Sequence, residues 1–241
     1  DKRDETGGNL HVAKKPPFKG KFEWAIDYYK SMAKKLNITM KLGKEVTAQE
    51  VLALKPYSIL VATGSNVISI PLEGLDQVQT VQAHDVLAND MQFANKKVVV
   101  IGGGITGLET ALYINRQGTN QVSVVDMLPE WPVDMLDMRY QNEALLEVRH
   151  CNDQGVALFY NNKVVKFADG KLFIESTKDG EVKELPADVI VLSVGVKPND
   201  ALWQELLASG HPSVWKAGDA IATGKINKAV LHGSKFGYSL N

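Results

Sequence analysis

The sequence lacks features that mark several classes of protein. Its 241 residues contain one cysteine, Cys151, which excludes an internal disulfide, a Cys-x-x-Cys redox pair and a cage of thiolate metal ligands. No apolar run approaches the ~20 residues that a membrane-spanning helix requires. The net charge is −1, so the basic character of most nucleic-acid-binding proteins is absent. We therefore expect neither a membrane nor a nucleic acid as a partner.

The N-terminus lacks two further features. The chain begins Asp1-Lys2-Arg3-Asp4-Glu5, with no initiator Met and no apolar segment of the kind found in a signal peptide. We expect a cytoplasmic protein, and we interpret the missing Met as an indication that the chain is part of a longer one. None of the five histidines has a metal-ligand spacing such as His-x-x-x-His. The sequence therefore predicts no metal site.

Apolar periodicity predicts an α/β fold. Apolar residues at helical spacing predict a helix over residues 22–36, and residues 47–50 have the pattern of a capping box that opens a short helix before Pro56. Other helices are predicted after residue 104 and at residues 138–148, 201–208 and 227–240. Strands are predicted at residues 38–42, 58–62, 98–101, 121–126, 188–192 and 214–217. Alternating segments between residues 156 and 185, with turns at Asp169-Gly170 and Asp179-Gly180, predict β-hairpins.

A glycine-rich loop follows the β-branched run at residues 98–101 and opens a predicted helix. Its residues are Gly102, Gly103, Gly104, Ile105, Thr106 and Gly107. In a β-α-β unit this pattern binds a dinucleotide, because Gly102 permits a tight turn, Gly104 lets the pyrophosphate approach the backbone, and Gly107 allows close helix packing. The free amides at the helix N-terminus would then face the phosphates.

Asp126 ends the next predicted strand and indicates which dinucleotide binds. A carboxylate at this position accepts hydrogen bonds from both ribose hydroxyls of NAD(H) and repels the 2′-phosphate of NADP(H). Residues 127–131 contain no Arg or Lys that could bind such a phosphate. The sequence therefore predicts that NAD(H) is preferred over NADP(H).

Segments outside this unit resemble a known fold. Ala62-Thr63-Gly64 resembles the Ala-Thr-Gly segment of flavoproteins with two dinucleotide domains, and Gly218-Asp219 resembles their Gly-Asp motif, whose aspartate holds the flavin ribityl chain. This is the pyridine-nucleotide-disulfide-oxidoreductase-like, FAD/NAD(P)-binding fold. The resemblance implies a Rossmann-like α/β fold in which a complete NAD-binding domain, residues 96–198, is inserted in an incomplete FAD-binding domain, residues 1–95 and 199–241.

A narrower resemblance lies in residues 1–13, 28–29 and 42–47. They are similar to the C-terminal region of NADH:flavin oxidoreductases, the group of 2,4-dienoyl-CoA and 2-enoate reductases, which is also similar to trimethylamine dehydrogenase. The resemblance implies that NADH reduces FAD, and that an iron–sulfur cluster passes electrons to FMN in an N-terminal barrel, where an activated alkene is reduced. This sequence contains neither the barrel nor the cluster cysteines, so the missing barrel is an expected partner.

The resemblance also implies which residues contact the cofactors. For FAD they are Asp1, Gly7, Gly8, Ala62, Thr63, Gly64, Gly218 and Asp219. For NADH it adds Gly195 and Glu109, although Glu109 is equally consistent with a first-turn acid that the helix dipole favours. No catalytic acid or base is implied, because the cofactors carry the chemistry. The first strand and glycine loop of the FAD domain would precede Asp1, so we expect FAD binding to be weak or absent and this chain alone to be inactive as the alkene-reducing enzyme.

Without the missing strand, the predicted strands at residues 38–42 and 58–62 would have unpaired edges. Backbone N–H and C=O groups that are buried without a partner cost folding free energy. We expect this part either to be less ordered than residues 97–197 or to pair with another chain, for example in a homo-oligomer. Two other functions stay open. One is a ferredoxin-reductase-like NADH:flavin oxidoreductase, and the other is a non-catalytic domain that only holds a nucleotide.

Overall fold

The computed structural model describes residues 1–129 and 138–240. The chain forms two compact units. Unit 1 comprises Asp1–Thr6, Ile38–Ile68 and Gly195–Asn241, and unit 2 comprises Gly7–Asn37 and Ser69–Val194. Residues 7–37 and 69–95 thus lie in the unit that holds the glycine-rich loop, whereas the sequence assigned them to the FAD-binding domain. Which cofactor each domain binds stays a prediction.

The helices and strands are numbered in chain order. The helices are α1 (Leu10–Ala13), α2 (Phe22–Lys35), α3 (Ala48–Ala53), α4 (Ala83–Ala88), α5 (Ile105–Asn115), α6 (Met138–Asp153), α7 (Ala201–Ala208) and α8 (Ile226–Ser239). The strands are β1 (Ile59–Val61), β2 (Ser65–Val67), β3 (Gln79–Gln82), β4 (Lys97–Ile101), β5 (Gln121–Val125), β6 (Ala157–Phe159), β7 (Asn162–Ala168), β8 (Lys171–Ser176), β9 (Val182–Pro186), β10 (Val189–Leu192), β11 (Val196–Pro198) and β12 (Val214–Lys216).

Unit 2 contains a five-stranded parallel sheet in the order β3-β10-β4-β5-β6. The continuous apolar run of β4 is buried on both faces, as expected for a covered parallel strand. Val98 and Val100 pack in a cluster with Leu108 of α5. Val99 packs in a second cluster with Leu172 of β8, which belongs to the antiparallel sheet β7-β8-β9.

The two predicted hairpin turns are confirmed. Asp169 and Gly170 connect β7 to β8 with φ values of 51° and 73°, the left-handed pair that a two-residue hairpin turn needs. Gly180 lies between β8 and β9 with φ 78°. At that turn the carboxylate of Asp179 accepts the backbone N–H of Glu181 at 3.1 Å.

Unit 1 contains two small sheets. β1 pairs in parallel with β12, and β2 pairs antiparallel with β11. Ile59 and Val61 of β1 pack against Leu206 of α7. The predicted capping box at α3 is confirmed, since the Thr47 hydroxyl accepts the backbone N–H of Glu50 and the Glu50 carboxylate accepts the backbone N–H of Thr47.

The strand predicted at residues 38–42 is wrong. The segment has no regular strand structure, and its apolar side chains are exposed, Ile38 by 57% and Met40 by 40%. Its backbone contacts are irregular, since the N-terminal ammonium of Asp1 donates to the carbonyl of Lys41 at 2.8 Å. An extended segment with no buried face and no ladder partner gains little from strand geometry. In the part of the chain that the structure describes, β1 has a strand partner on one edge only.

Candidate functional site

The carboxyl ends of three neighbouring strands bring the strongest sequence signals together. Gly102 follows β4, Asp126 follows β5 and Ser193 follows β10. The last ladder pairs are Ile101 with Val125 and with Leu192, so the residues that follow the three strands lie at one edge of the sheet. In the sheet, β5, which follows β4 and α5 in the chain, pairs with one edge of β4, and β10 pairs with the other edge. Such a position, beyond the carboxyl ends of the strands, is where doubly wound sheets bind ligands.

The glycine loop is packed too tightly for side chains at two positions. A Cβ atom on Gly102 would lie 2.2 Å from the carbonyl oxygen of Ser193, and Gly102 has φ +107°. A Cβ atom on Gly107 would lie 1.9 Å from the carbonyl oxygen of Gly102. These contacts support the predicted tight turn at Gly102 and the close helix packing at Gly107.

The first residues of α5 leave the end of the helix open to an anion. Gly104 is the N-cap residue and makes no side-chain capping bond. Ile105 is buried and Thr106 is exposed, so the first turn is fixed on the core side and open on the other. The amides and the positive end of the dipole at such a terminus favour a phosphate.

Asp126 is tied to the glycine loop. Its Oδ2 accepts the backbone N–H of Gly103 at 2.6 Å, and its Oδ1 accepts the backbone N–H of Leu128 at 2.8 Å. An ionised carboxylate has about four acceptor positions, so both oxygens can still accept ribose hydroxyls. The segment after Asp126, which the sequence predicted to lack a phosphate-binding Arg or Lys, is described only as far as Pro129. Glu130 and Trp131 lie outside the described residues.

Glu109 lies on α5 beyond its first turn, so it is not the first-turn acid that one interpretation proposed. Its side chain is buried and forms an ion pair with Lys19, which also contacts Glu143 at 2.6 Å. Burial raises the pKa of Glu109, and the Lys19 ammonium only partly opposes this. Burial favours the neutral amine of Lys19, but the two carboxylates outweigh this effect and raise its pKa. The role of Glu109 near the nicotinamide stays a prediction.

Sequence reasoning missed Lys19. It lies far from Glu109 in the chain, in a loop between α1 and α2, and no spacing rule joins it to α5. The only available signal was its position in a lysine-rich stretch, which is typical of a solvated surface. The structure instead places its side chain at 20% exposure between two carboxylates.

Several of the predicted FAD-binding residues lie in unit 1. Thr63 donates its hydroxyl to the carbonyl of Asn199 at 2.5 Å, beside Ala62 and Gly64 in the turn after β1. Gly64 has φ +75°, which favours glycine, and its carbonyl accepts the Asn199 N–H at 3.0 Å. Asn199, which directly follows β11, therefore holds this turn through two hydrogen bonds.

Asp219 lies in the short 3₁₀ turn Gly218–Ala220 of the same unit. Its carboxylate accepts the Ser65 hydroxyl at 3.3 Å and the backbone N–H of Gly224 at 3.0 Å. The Gly218 N–H donates to Nδ1 of His232 at 3.1 Å, so this ring orients the turn. That contact was not expected from the sequence. A carboxylate held in this way can accept further hydroxyl groups, which fits a polyol chain.

The remaining predicted residues are distributed over both units. Gly195 and Asp1 belong to unit 1, and Gly7 and Gly8 precede α1 in unit 2. The carboxylate of Asp1 accepts the backbone N–H of Arg3 at 2.9 Å. Among the described residues of unit 1, no glycine-rich loop joins a strand to a helix in the way that residues 102–107 do in unit 2. Binding of FAD by these residues, and its weakness, stay predictions.

Cys151 is a buried free thiol. Its Sγ lies 3.8 Å from the carbonyl oxygen of Leu108, and burial together with the charge of Glu147 raises its pKa to about 12. A thiol with so high a pKa is a poor nucleophile. No group of three potential metal ligands occurs in residues 1–129 and 138–240, and no helix there is long and apolar enough to cross a membrane.

The sequence pattern of the pyridine nucleotide-disulphide oxidoreductase family matches residues 21–232. The chain belongs to this family. Membership confirms the predicted Rossmann-like FAD/NAD(P)-binding fold, and it implies FAD and a pyridine nucleotide as cofactors.

Individual relatives are similar over most of this chain. An NADH oxidase of Thermoanaerobacter brockii is 29% identical over 100% of this chain and 36% of its own length. A cinnamate reductase of Clostridium sporogenes is 28% identical over 86% of this chain and 30% of its own length. A solved structure of 2-naphthoyl-CoA reductase superposes with a TM-score of 0.84 and 26% identity, covering 98% of this chain and 35% of that one.

These similarities confirm the predicted resemblance to NADH:flavin oxidoreductases of the enoate reductase group. The chain spans about a third of the length of these family members.

Proposed function

We propose that this chain is the nucleotide-binding part of an enzyme that takes a hydride from NADH onto FAD and uses the electrons to reduce an activated C=C bond. The observation that carries the proposal is the closed arrangement of the glycine loop and Asp126. Gly102 and Gly107 leave no room for side chains, and Asp126 is hydrogen-bonded to Gly103.

Each part of this arrangement has a role toward NADH. The amides at the start of α5 bind the pyrophosphate, which can approach the backbone at Gly104, the N-cap residue of this helix. Asp126 accepts the ribose hydroxyls, and its negative charge disfavours the 2′-phosphate of NADPH. When bound, NADH supplies the hydride and FAD accepts it. The chain holds and orients the two cofactors, and Asp219 contributes an acceptor for the flavin sugar chain.

The proposed substrate is an enoate or an enoyl-CoA. The support comes from the relatives, since one is named for cinnamate and another for 2-naphthoyl-CoA. The iron–sulfur cluster, FMN and the substrate site would then belong to an N-terminal barrel. This fits the length of the relatives, because the chain spans only about a third of each of them. The specific alkene is determined by residues of that barrel.

The test is an anaerobic mixture of this chain, added FAD and either NADH or NADPH, in which the flavin absorbance is followed over time. Because we expect this chain to bind FAD weakly, FAD is supplied in large excess. We then expect the chain to accelerate flavin reduction by NADH above the rate of free FAD, and to do so less with NADPH. Gly107→Ala removes the acceleration, whereas Gly233→Ala, at a position in α8 with open space around it, retains it. Binding of both NADH and FAD without acceleration supports a non-catalytic domain and contradicts the proposal.

A further inference from the structure

We propose that Tyr160 forms one wall of the subsite for the adenosine ribose and contributes to the choice of NAD(H) over NADP(H). This inference rests on the proposed NADH site. It concerns a residue that the glycine motif and Asp126 do not include.

The sheet places Tyr160 beside Asp126. β5 and β6 are parallel neighbours, and their last ladder pair is Val125 with Phe159. Asp126 and Tyr160 are the next residues of the two strands, so both emerge at the carboxyl edge of the sheet. The backbone N–H of Asp126 donates to the carbonyl of Phe159 at 3.0 Å, which keeps the two strand ends together.

The ring of Tyr160 also reaches the glycine loop. A Cβ atom on Gly103 would lie 3.1 Å from Cε1 of Tyr160 and 3.1 Å from Cβ of Asp126. The ring edge and the carboxylate side chain therefore border the same glycine. A ribose that is hydrogen-bonded to Asp126 must lie close to this ring.

Tyr160 is held in place from two sides. Its ring packs, partly buried, against the core cluster that contains Val124 and Val156. Its carbonyl accepts the side-chain amide of Asn162 at 2.8 Å, and the Asn162 N–H donates to the carbonyl of Asp126 at 2.9 Å. A ring fixed before the nucleotide arrives binds with less loss of conformational freedom.

The chemistry of this wall favours a ribose without a phosphate. An aromatic ring offers contact area to a sugar or a base and carries no positive charge. A 2′-phosphate placed between this ring and the Asp126 carboxylate would lose water, and neither of these two side chains supplies a cation to replace it. Tyr160 and Asp126 together therefore discriminate against NADPH.

Fluorescence titration of NADH and NADPH tests the inference with three variants of the chain. We expect Tyr160→Ala to weaken NADH binding about tenfold, and Tyr160→Phe to stay within about twofold because the ring remains. Tyr160→Arg should strengthen NADPH binding relative to NADH, since a guanidinium can bind the phosphate. Tyr113→Ala is the matched control, because Tyr113 packs on the same core cluster but its hydroxyl donates to Asp90.

The outcomes separate this inference from the proposed function. If wild-type protein binds NADH and Tyr160→Ala and Tyr160→Arg leave both affinities unchanged, the role of Tyr160 is refuted and the NADH site stands. If Tyr113→Ala weakens NADH as much as Tyr160→Ala does, the effect is a general loss of packing and the inference is also refuted. If wild-type protein binds neither nucleotide, both the inference and the proposed function fail.

Discussion

Asp126 and Gly103 are joined by a hydrogen bond of 2.6 Å from the glycine N–H to the aspartate Oδ2. The residue proposed to select the nucleotide thus also holds the loop proposed to bind its phosphates. Because Oδ1 accepts a second backbone N–H, from Leu128, both oxygens of this carboxylate have a structural partner. A substitution at Asp126 should therefore change stability and nucleotide preference together.

Asp126→Asn separates the charge of this side chain from its size. An amide has one oxygen, so it can accept only one of the two N–H groups, and the variant should lose about 1–2 kcal/mol of unfolding free energy. The loss of negative charge should also narrow the preference for NADH over NADPH. Denaturant unfolding and nucleotide titration measure the two effects. An unchanged ratio of NADH to NADPH affinity would contradict the role in selection.

Gly107→Ala tests the close packing of α5. The added methyl group would lie 1.9 Å from the carbonyl oxygen of Gly102, so the loop or the helix must shift and nucleotide binding should be lost. Gly233→Ala adds the same methyl group to α8, where no atom lies within 4 Å, and should leave binding unchanged. Calorimetric titration with NADH compares the two variants. Equal affinities of Gly107→Ala and Gly233→Ala for NADH would show that the loop is not packed as described.

Lys19→Met tests the buried ion pair. The variant leaves the Glu109 carboxylate without its cation, and removal of one partner of a buried pair costs about 3–5 kcal/mol. The double variant with Glu109→Gln should recover a large part of this loss, since the more deeply buried of the two carboxylates is then neutral, while that of Glu143 is 33% exposed. Lys44→Met is the control, because the Lys44–Glu50 pair is exposed and such pairs contribute little to stability. Urea unfolding measures the loss of unfolding free energy in each variant. Similar losses for Lys19→Met and Lys44→Met would contradict the burial of the Lys19–Glu109 pair.

The same lysine gives a dependence on pH. The pKa of Lys19 is raised above its ordinary value of 10.5 by the carboxylates of Glu109 and Glu143, which outweigh the opposing effect of burial. The folded protein therefore holds this proton more tightly than the unfolded chain does. The stabilisation is complete below pH 10.5 and is lost as the pH rises through the folded pKa. Thermal melts between pH 9 and 12 should show a steeper loss for wild-type protein than for Lys19→Met.

The thiol of Cys151 should be unreactive in the folded protein. Its pKa is raised to about 12 by burial and by the charge of Glu147, so almost no thiolate forms near neutral pH. We expect a chromogenic disulfide reagent at pH 8 to label it only after denaturation. Rapid, stoichiometric labelling of folded protein would contradict its burial and reopen a redox role.

The parts of the fold that the sequence predicted are those where local pattern and burial agree. The β-branched run of β4, the capping box at Thr47 and the turn at Asp169 each determine their structure within a few residues. Residues 38–42 have strand-like composition, yet they form no strand because no strand among the described residues pairs with them. Strand formation depends on that partner, which the local sequence does not contain.

The candidate site divides in the same way. The Gly102–Gly107 loop and Asp126 could be predicted because the motif has fixed spacing and a physical reason for each glycine. Lys19, His232 and Tyr160 could not, since each reaches its partner through tertiary contacts with no spacing rule. One of the two interpretations of Glu109 expected it in the first turn of its helix, but α5 begins at Ile105 and Glu109 lies in the second turn.

The most direct test of the account is an equilibrium titration of this chain with NADH and NADPH, repeated with Asp126→Ala. The account predicts submillimolar binding of NADH, weaker binding of NADPH, and loss of NADH binding in the variant. Binding of neither nucleotide by a folded wild-type chain would contradict it, and so would tight NADH binding that survives the removal of Asp126.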